Sequence, residues 1–85
     1  MFEHCDAIAV LPGGFGTMDE TFEVLTWKQL GLHKKPIVIY NYRGYWDPFL
    51  RLVDNIISLG FASPATRELF TVASRLEDVI SLAFP

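Results

Sequence analysis

An unbroken apolar run, Ala7-Ile8-Ala9-Val10-Leu11, stops at Pro12-Gly13-Gly14 and leads directly into a helix-forming stretch. A strand with one wet face alternates apolar with polar residues. A run without alternation is covered on both faces, as in a parallel sheet flanked by helices. The glycines after it then turn the chain from strand to helix at the sheet's C-terminal edge, where open α/β sheets bind ligands. The rest of the chain follows the same rhythm. A helix is expected over residues 17–30, ended by Gly31, then a buried strand over 36–40 with Pro tolerated at its first position. A loop, residues 41–46, precedes a helix opened by Asp47-Pro48, an N-cap followed by proline at the first helical position. Phe49, Val53, Ile56 and Ile57 give that helix its apolar stripe, and Gly60 ends it. Ser63-Pro64 starts a short helical piece, residues 70–73 form a weaker third strand, and Ser74-Arg75-Leu76-Glu77 reads as the capping box of a last helix.

This βαβαβα order predicts an α/β fold with a parallel sheet and right-handed crossovers. Three strands are few for such a sheet, and the first would have an open edge. With 85 residues of which 51% are hydrophobic, the chain is short for a domain and rich in apolar surface. Residues 1–85 are therefore read as a single, partial domain with faces made to be covered by further sequence or a partner subunit.

Gly13-Gly14-Phe15-Gly16-Thr17 carries the chemistry. Glycines let the backbone approach an anion closely, and a helix start adds unpaired N–H donors and about half a positive charge. The Thr17 hydroxyl can donate to a phosphate oxygen. The loop is not a Walker A motif, because no Gly-Lys-Ser/Thr follows, nor a dinucleotide fingerprint, because the third glycine is absent. A tight turn without ligand remains the alternative. Glu20 has two readings: a carboxylate beside a bound phosphate, acting as general base or offsetting positive charge on a sugar, or the partner of Thr17 in a capping box. Asp19 and Glu23 read as dipole-compensating or solvated.

The helix over residues 17–30 is apolar on two sides. Met18, Phe22 and Leu25 form one stripe, while Val24, Trp27 and Leu30 fall elsewhere. One stripe suffices against a sheet, so the second predicts another packing partner, most economically a second copy of the chain. Tyr42, Arg43, Tyr45 and Trp46 form an aromatic loop on the ligand side of the sheet, for which ordinary packing is the leading explanation. His33 reads as a loop residue, and Lys34 and Lys35 as solvated.

Several classes are disfavoured. The formal net charge is −3 and no basic stripe is present, which argues against nucleic acid. No apolar run reaches the ~20 residues of a membrane span. A lone Cys5, with His4 and His33 far apart, gives no disulfide and no metal-ligand spacing. A cytoplasmic setting is expected, and no metal or cofactor is implied.

Pro12-Gly13-Gly14-Phe15-Gly16-Thr17-Met18-Asp19-Glu20 resembles the PGGxGTxxE signature of the LONELY GUY (LOG) family, often labelled lysine decarboxylase-like. The likeness continues through Glu23–Pro36 and into Asn41, Gly44-Tyr45-Trp46-Asp47 and Gly60-Phe61. The resemblance implies a Rossmann-like three-layer sandwich, a homodimer, and hydrolysis of the N-glycosidic bond of nucleoside 5′-monophosphates. In the family, cytokinin riboside monophosphates give free base and ribose 5-phosphate. By the same resemblance Gly13, Gly14, Gly16 and Thr17 would hold the 5′-phosphate and Glu20 would be the catalytic carboxylate. The decarboxylase label fits poorly, since no lysine sits in a recognisable pyridoxal phosphate site. Family members also carry an upstream stretch with a glycine-rich nucleotide loop and an Arg-Lys segment that supplies a catalytic arginine. The chain matches the family from just after that segment, which predicts a C-terminal half. Two other readings stay open: a non-catalytic module similar to the molybdenum cofactor carriers, and an inactive truncated remnant.

Overall fold

The computed structural model describes residues 2–4 and 7–83. In chain order the elements are β1 (Phe2–His4), β2 (Ala7–Val10), α1 (Phe15–Gln29), β3 (Ile37–Tyr40), a 3-10 turn (Tyr42–Gly44), α2 (Asp47–Ser58), a second 3-10 segment (Pro64–Leu69), β4 (Thr71–Ala73) and α3 (Leu76–Ala83). The strands form one sheet in the order β1-β2-β3-β4. β2 runs parallel to β3, with Ala9 opposite Val38, and β3 runs parallel to β4, with Ile39 opposite Val72.

The alternation of side chains along each strand sorts them onto two covered faces. On one, Ile8, Val10, Ile37 and Ile39 pack with Val24 and Leu25 of α1, Phe49 and Val53 of α2, and with Trp46 and Phe70. On the other, Ala7 and Val38 pack with Ala73 and with Val79 and Ala83 of α3. The residues facing α3 are the smaller ones, which suits a helix of only 8 residues. Helices thus lie on both sides of the sheet. This is the Rossmann-like three-layer arrangement, and it explains why the strands read as unbroken apolar runs.

The glycine stops act as the sequence implies. Gly31 takes φ +80°, the left-handed region glycine enters at little cost. The Leu32 N–H then donates to Trp27 O at 2.9 Å and the Gly31 N–H to Lys28 O at 3.0 Å, the Schellman closure. Gly60 closes α2 in the same way, through Phe61 N–H to Ile56 O at 3.0 Å.

Four expectations are corrected. The sheet has a fourth strand, β1, which pairs antiparallel with β2, Phe2 opposite Ala9, so the edge expected to be open is occupied. α1 begins at Phe15, two residues before the expected start. Asp47 is not the N-cap of α2. It lies inside the first turn, with Trp46 at the cap position, and its carboxylate accepts from Asn41 Nδ2 at 2.8 Å. At α3, the Arg75 carbonyl takes the first N–H bonds from Asp78 and Val79, both 3.1 Å. The cap position is therefore one residue beyond Ser74, and Glu77 pairs instead with Arg75, whose Nε donates to it at 2.9 Å.

Candidate anion loop at the start of α1

β2 delivers the chain to Pro12–Gly14 at its C-terminal end, and α1 starts at once. Gly14 is the N-cap, with an extended backbone (φ −94°, ψ −156°) and no side-chain capping bond. The first intrahelical bond runs from Met18 N–H to Gly14 O at 3.1 Å. The N–H groups of Phe15, Gly16 and Thr17 thus have no partner within the helix, and they carry the positive end of its dipole.

The three glycines are bare for different reasons. A Cβ on Gly13 would stand 2.8 Å from Thr17 Cβ, so only glycine lets the loop fold back against Thr17. A Cβ on Gly14 or Gly16 would meet nothing within 4 Å. Packing does not require glycine at these two positions. What their bareness does is leave the surface over the first helical turn open to close approach.

Thr17 is the third residue of α1 rather than its cap, which removes the capping-box reading of Thr17 and Glu20. Its backbone oxygen accepts a 2.6 Å bond from the hydroxyl of Thr21. Thr21 is wholly buried, and this bond satisfies its hydroxyl. Glu20 is exposed and lies four residues after Gly16, one turn along the same helix face. Helical side chains lean toward the N-terminus. The path from Glu20 to the N–H groups of the first turn therefore crosses the bare Gly16.

A second segment reaches the loop. Asn41, just after β3, donates from its N–H to Ala73 O and from Nδ2 to Asp47 Oδ1, and accepts at Oδ1 from Trp46 N–H, each at 2.8 Å. The turn it closes holds Arg43 at φ 51° and Gly44 at φ 75°. It ends in Trp46, which is fully enclosed and meets the rings of Tyr45 and Phe49 edge-on, both at 5.4 Å. The Tyr45 hydroxyl donates to Gly13 O. The sequence placed Tyr45 at the C-terminal end of the second strand with packing as its leading role, and the bond to Gly13 adds to the ring contact with Trp46. A contact between residues 32 positions apart has no local signature. Beside it, Phe15, Met18, Phe22, Tyr45, Pro48 and Leu52 line an open apolar groove of about 580 Å³.

The far end of α1 holds different chemistry. His33 lies in the loop as expected, and there its Nε2 donates to Val24 O at 2.9 Å and its Nδ1 accepts from Lys35 N–H at 3.2 Å, which ties the loop to α1. Desolvation in the last turn of α1 holds the Lys28 ammonium below the usual lysine range. The chain's lysines, Lys28, Lys34 and Lys35, all lie at or beyond this end, Lys28 about 20 Å from the glycine loop at 1.5 Å per helical residue. Among the described residues no group of three or more His, Cys, Asp or Glu side chains is placed to hold a metal ion, and no helix is long and apolar enough to cross a membrane. Cys5 lies outside the described residues, as does the side chain of His4.

Comparison with known proteins gives a consistent picture. The family described as "possible lysine decarboxylase" matches residues 1–82. Two cytokinin riboside 5′-monophosphate phosphoribohydrolases of Arabidopsis thaliana are 41% and 40% identical to the chain over 80 residues. One from Oryza sativa subsp. japonica is 41% identical over the same length. Each alignment covers 94% of this chain and 37%, 38% and 33% of the respective relative, so the chain spans little more than a third of the curated proteins it matches.

Proposed function

The chain belongs to the possible lysine decarboxylase family, and from that premise we propose that it is the glycine-loop portion of a phosphoribohydrolase acting on nucleoside 5′-monophosphates, cytokinin riboside monophosphates among them. The observation that carries this reading is the uncapped start of α1, with Glu20 one turn above a bare Gly16. Gly13, Gly14, Gly16 and Thr17 hold the 5′-phosphate, through the free N–H groups at the helix start and the Thr17 hydroxyl. The apolar groove beside the loop accepts the flat face of a base.

In the reaction, water adds to the ribose carbon C1′ as the C–N bond breaks. The bonding electron pair leaves with the base, which takes up a proton, and ribose 5-phosphate remains. Cationic character develops on the ribose, and the Glu20 carboxylate offsets it and orients the attacking water. The phosphate, remote from the reacting carbon, supplies the binding energy that fixes this geometry. The protein acts as a homodimer in the cytoplasm. The exposed apolar side of α1, with Trp27 and Leu30, supports the association. A carrier module needs no carboxylate beside the phosphate, so Glu20 separates the two readings.

The test is chromatography of reactions containing AMP or isopentenyladenosine 5′-monophosphate. The expected result is free base from the unsubstituted chain and a loss of at least about 10²-fold in rate for Glu20→Ala. If neither releases base, the assay is repeated with the relatives' upstream portion restored, and silence there as well overturns the hydrolase reading.

A further inference from the structure

The peptide that joins Gly13 to Gly14 is the softest point of the anion loop. A peptide unit is planar, and its carbonyl and N–H point in opposite directions. Their joint direction is set by the torsions of the two flanking residues, and glycines restrain those torsions least. If nothing held it, this plane would turn readily and present either the Gly14 N–H or the Gly13 carbonyl to a ligand. The first attracts an anion and the second repels it.

The structure supplies one tether. The Tyr45 hydroxyl donates to the Gly13 carbonyl oxygen. We infer that Tyr45 is a positioning residue for the anion loop: it fixes the Gly13–Gly14 peptide so that the Gly14 N–H stays presented to a bound phosphate and the carbonyl oxygen stays engaged. This rests on the phosphate-binding reading given above.

The tyrosine is itself braced to do this. Its ring meets Trp46 edge-on at 82°, and Trp46 is fully enclosed in the core. Its N–H donates to Tyr42 O at 2.9 Å. The turn that carries it is tied on both sides of the tyrosine by Asn41, which binds Ala73 of β4, the backbone of Trp46 and the carboxylate of Asp47. Arg43 and Gly44 sit in the left-handed region, a conformation a non-glycine residue adopts only where its surroundings impose it. A loop serving only to connect β3 to α2 needs neither this set of ties nor a hydroxyl that reaches back to the end of β2.

The experiment compares the unsubstituted chain with Tyr45→Phe and Tyr45→Leu, titrated with AMP and with adenosine, while the Gly14 amide is followed by ¹⁵N–¹H correlation. The unsubstituted chain should bind AMP in preference to adenosine, with a large shift of the Gly14 amide that inorganic phosphate reproduces. Tyr45→Phe keeps the ring and removes only the donor. It should lose about 3–10-fold in AMP affinity, with adenosine binding and melting temperature little changed, and with a free-state Gly14 resonance displaced or broadened. Tyr45→Leu should match it in phosphate preference. If Tyr45→Phe retains the full preference and only Tyr45→Leu loses it, the ring packs and the hydroxyl positions nothing, and the inference fails. If the unsubstituted chain already shows no preference for AMP over adenosine, the phosphate-binding reading fails first, visibly and without any substitution, and the role of Tyr45 falls with it.

Discussion

Gly13 and Gly16 are both glycines of one loop, yet the space around them assigns them different duties. A methyl group on Gly16 meets nothing, and alanine is the better helix former by up to about 1 kcal/mol. Gly16→Ala should therefore leave the melting temperature unchanged or raised, and still weaken AMP binding, because the methyl occupies the surface a phosphate approaches. Gly13→Ala puts its Cβ 2.8 Å from Thr17 Cβ, a fixed atom that cannot turn aside. It should cost about 1–3 kcal/mol of stability, as overpacking does, and impair binding as well. Thermal melts paired with AMP titrations measure both. A Gly16→Ala variant that melts lower and binds normally would mean that this glycine serves the backbone and not a ligand. Glu20 belongs to the same scale. Its sequence context allowed a cap or a functional carboxylate, and the start of α1 at Phe15 takes the cap away.

Among the elements, α3 shows how a helix start is secured when its expected cap is not used. The Glu77 carboxylate accepts from its own backbone N–H and from the Arg75 side chain, and both hold its titration below the usual carboxylate value. A carboxyl group whose folded value is lowered contributes stability above its unfolded value, and the contribution is lost as pH falls through the lowered one. Glu77 is exposed, so the effect is small. Its sign is still readable: Arg75→Ala should move the Glu77 midpoint up toward the ordinary value in a ¹³C-detected titration, and an unmoved midpoint would leave the pair without energetic meaning. What could be read from the sequence divides along the same line. β2 and β3 announce themselves as unbroken apolar runs because both faces are covered, and α2 by its regular stripe. Gly31 and Gly60 mark their helix ends because the left-handed backbone there suits glycine. The helix starts were less legible. Cap signals are side-chain signals, and α1 is opened by Gly14, which has none, while Asp47 and Glu77 turn out to bind Asn41 and Arg75 instead. β1 has only three residues, too few for a period to appear. The tie from Tyr45 to Gly13 could not be read, because it exists only once β2 and β3 lie side by side.

At the scale of the whole molecule, apolar surface is left over. Trp27 on α1, Leu30 at its end and Leu32 just after it are exposed, Leu30 and Leu32 by more than two thirds. Apolar side chains left exposed together near one end of a helix suit a face that another surface covers. The expected partner is a second copy: α1 gives Val24 and Leu25, one from each expected stripe, to the sheet and leaves Trp27 exposed beyond it. Sedimentation velocity over a range of concentrations should show a dimer, and Trp27→Glu should shift it toward monomer while leaving the circular dichroism spectrum intact. A chain that sediments as a monomer throughout would assign the face to other sequence of the family.

The tryptophans, finally, differ in a way that has a practical side. Trp46 is wholly enclosed and Trp27 is 45% exposed, so the chain carries two optical labels with separate addresses. A collisional quencher in the solvent reaches the Trp27 indole and spares the other. The emission that survives comes from a ring in edge contact with Tyr45, and any rearrangement of the turn between β3 and α2 writes itself into that light without a dye or an added tag.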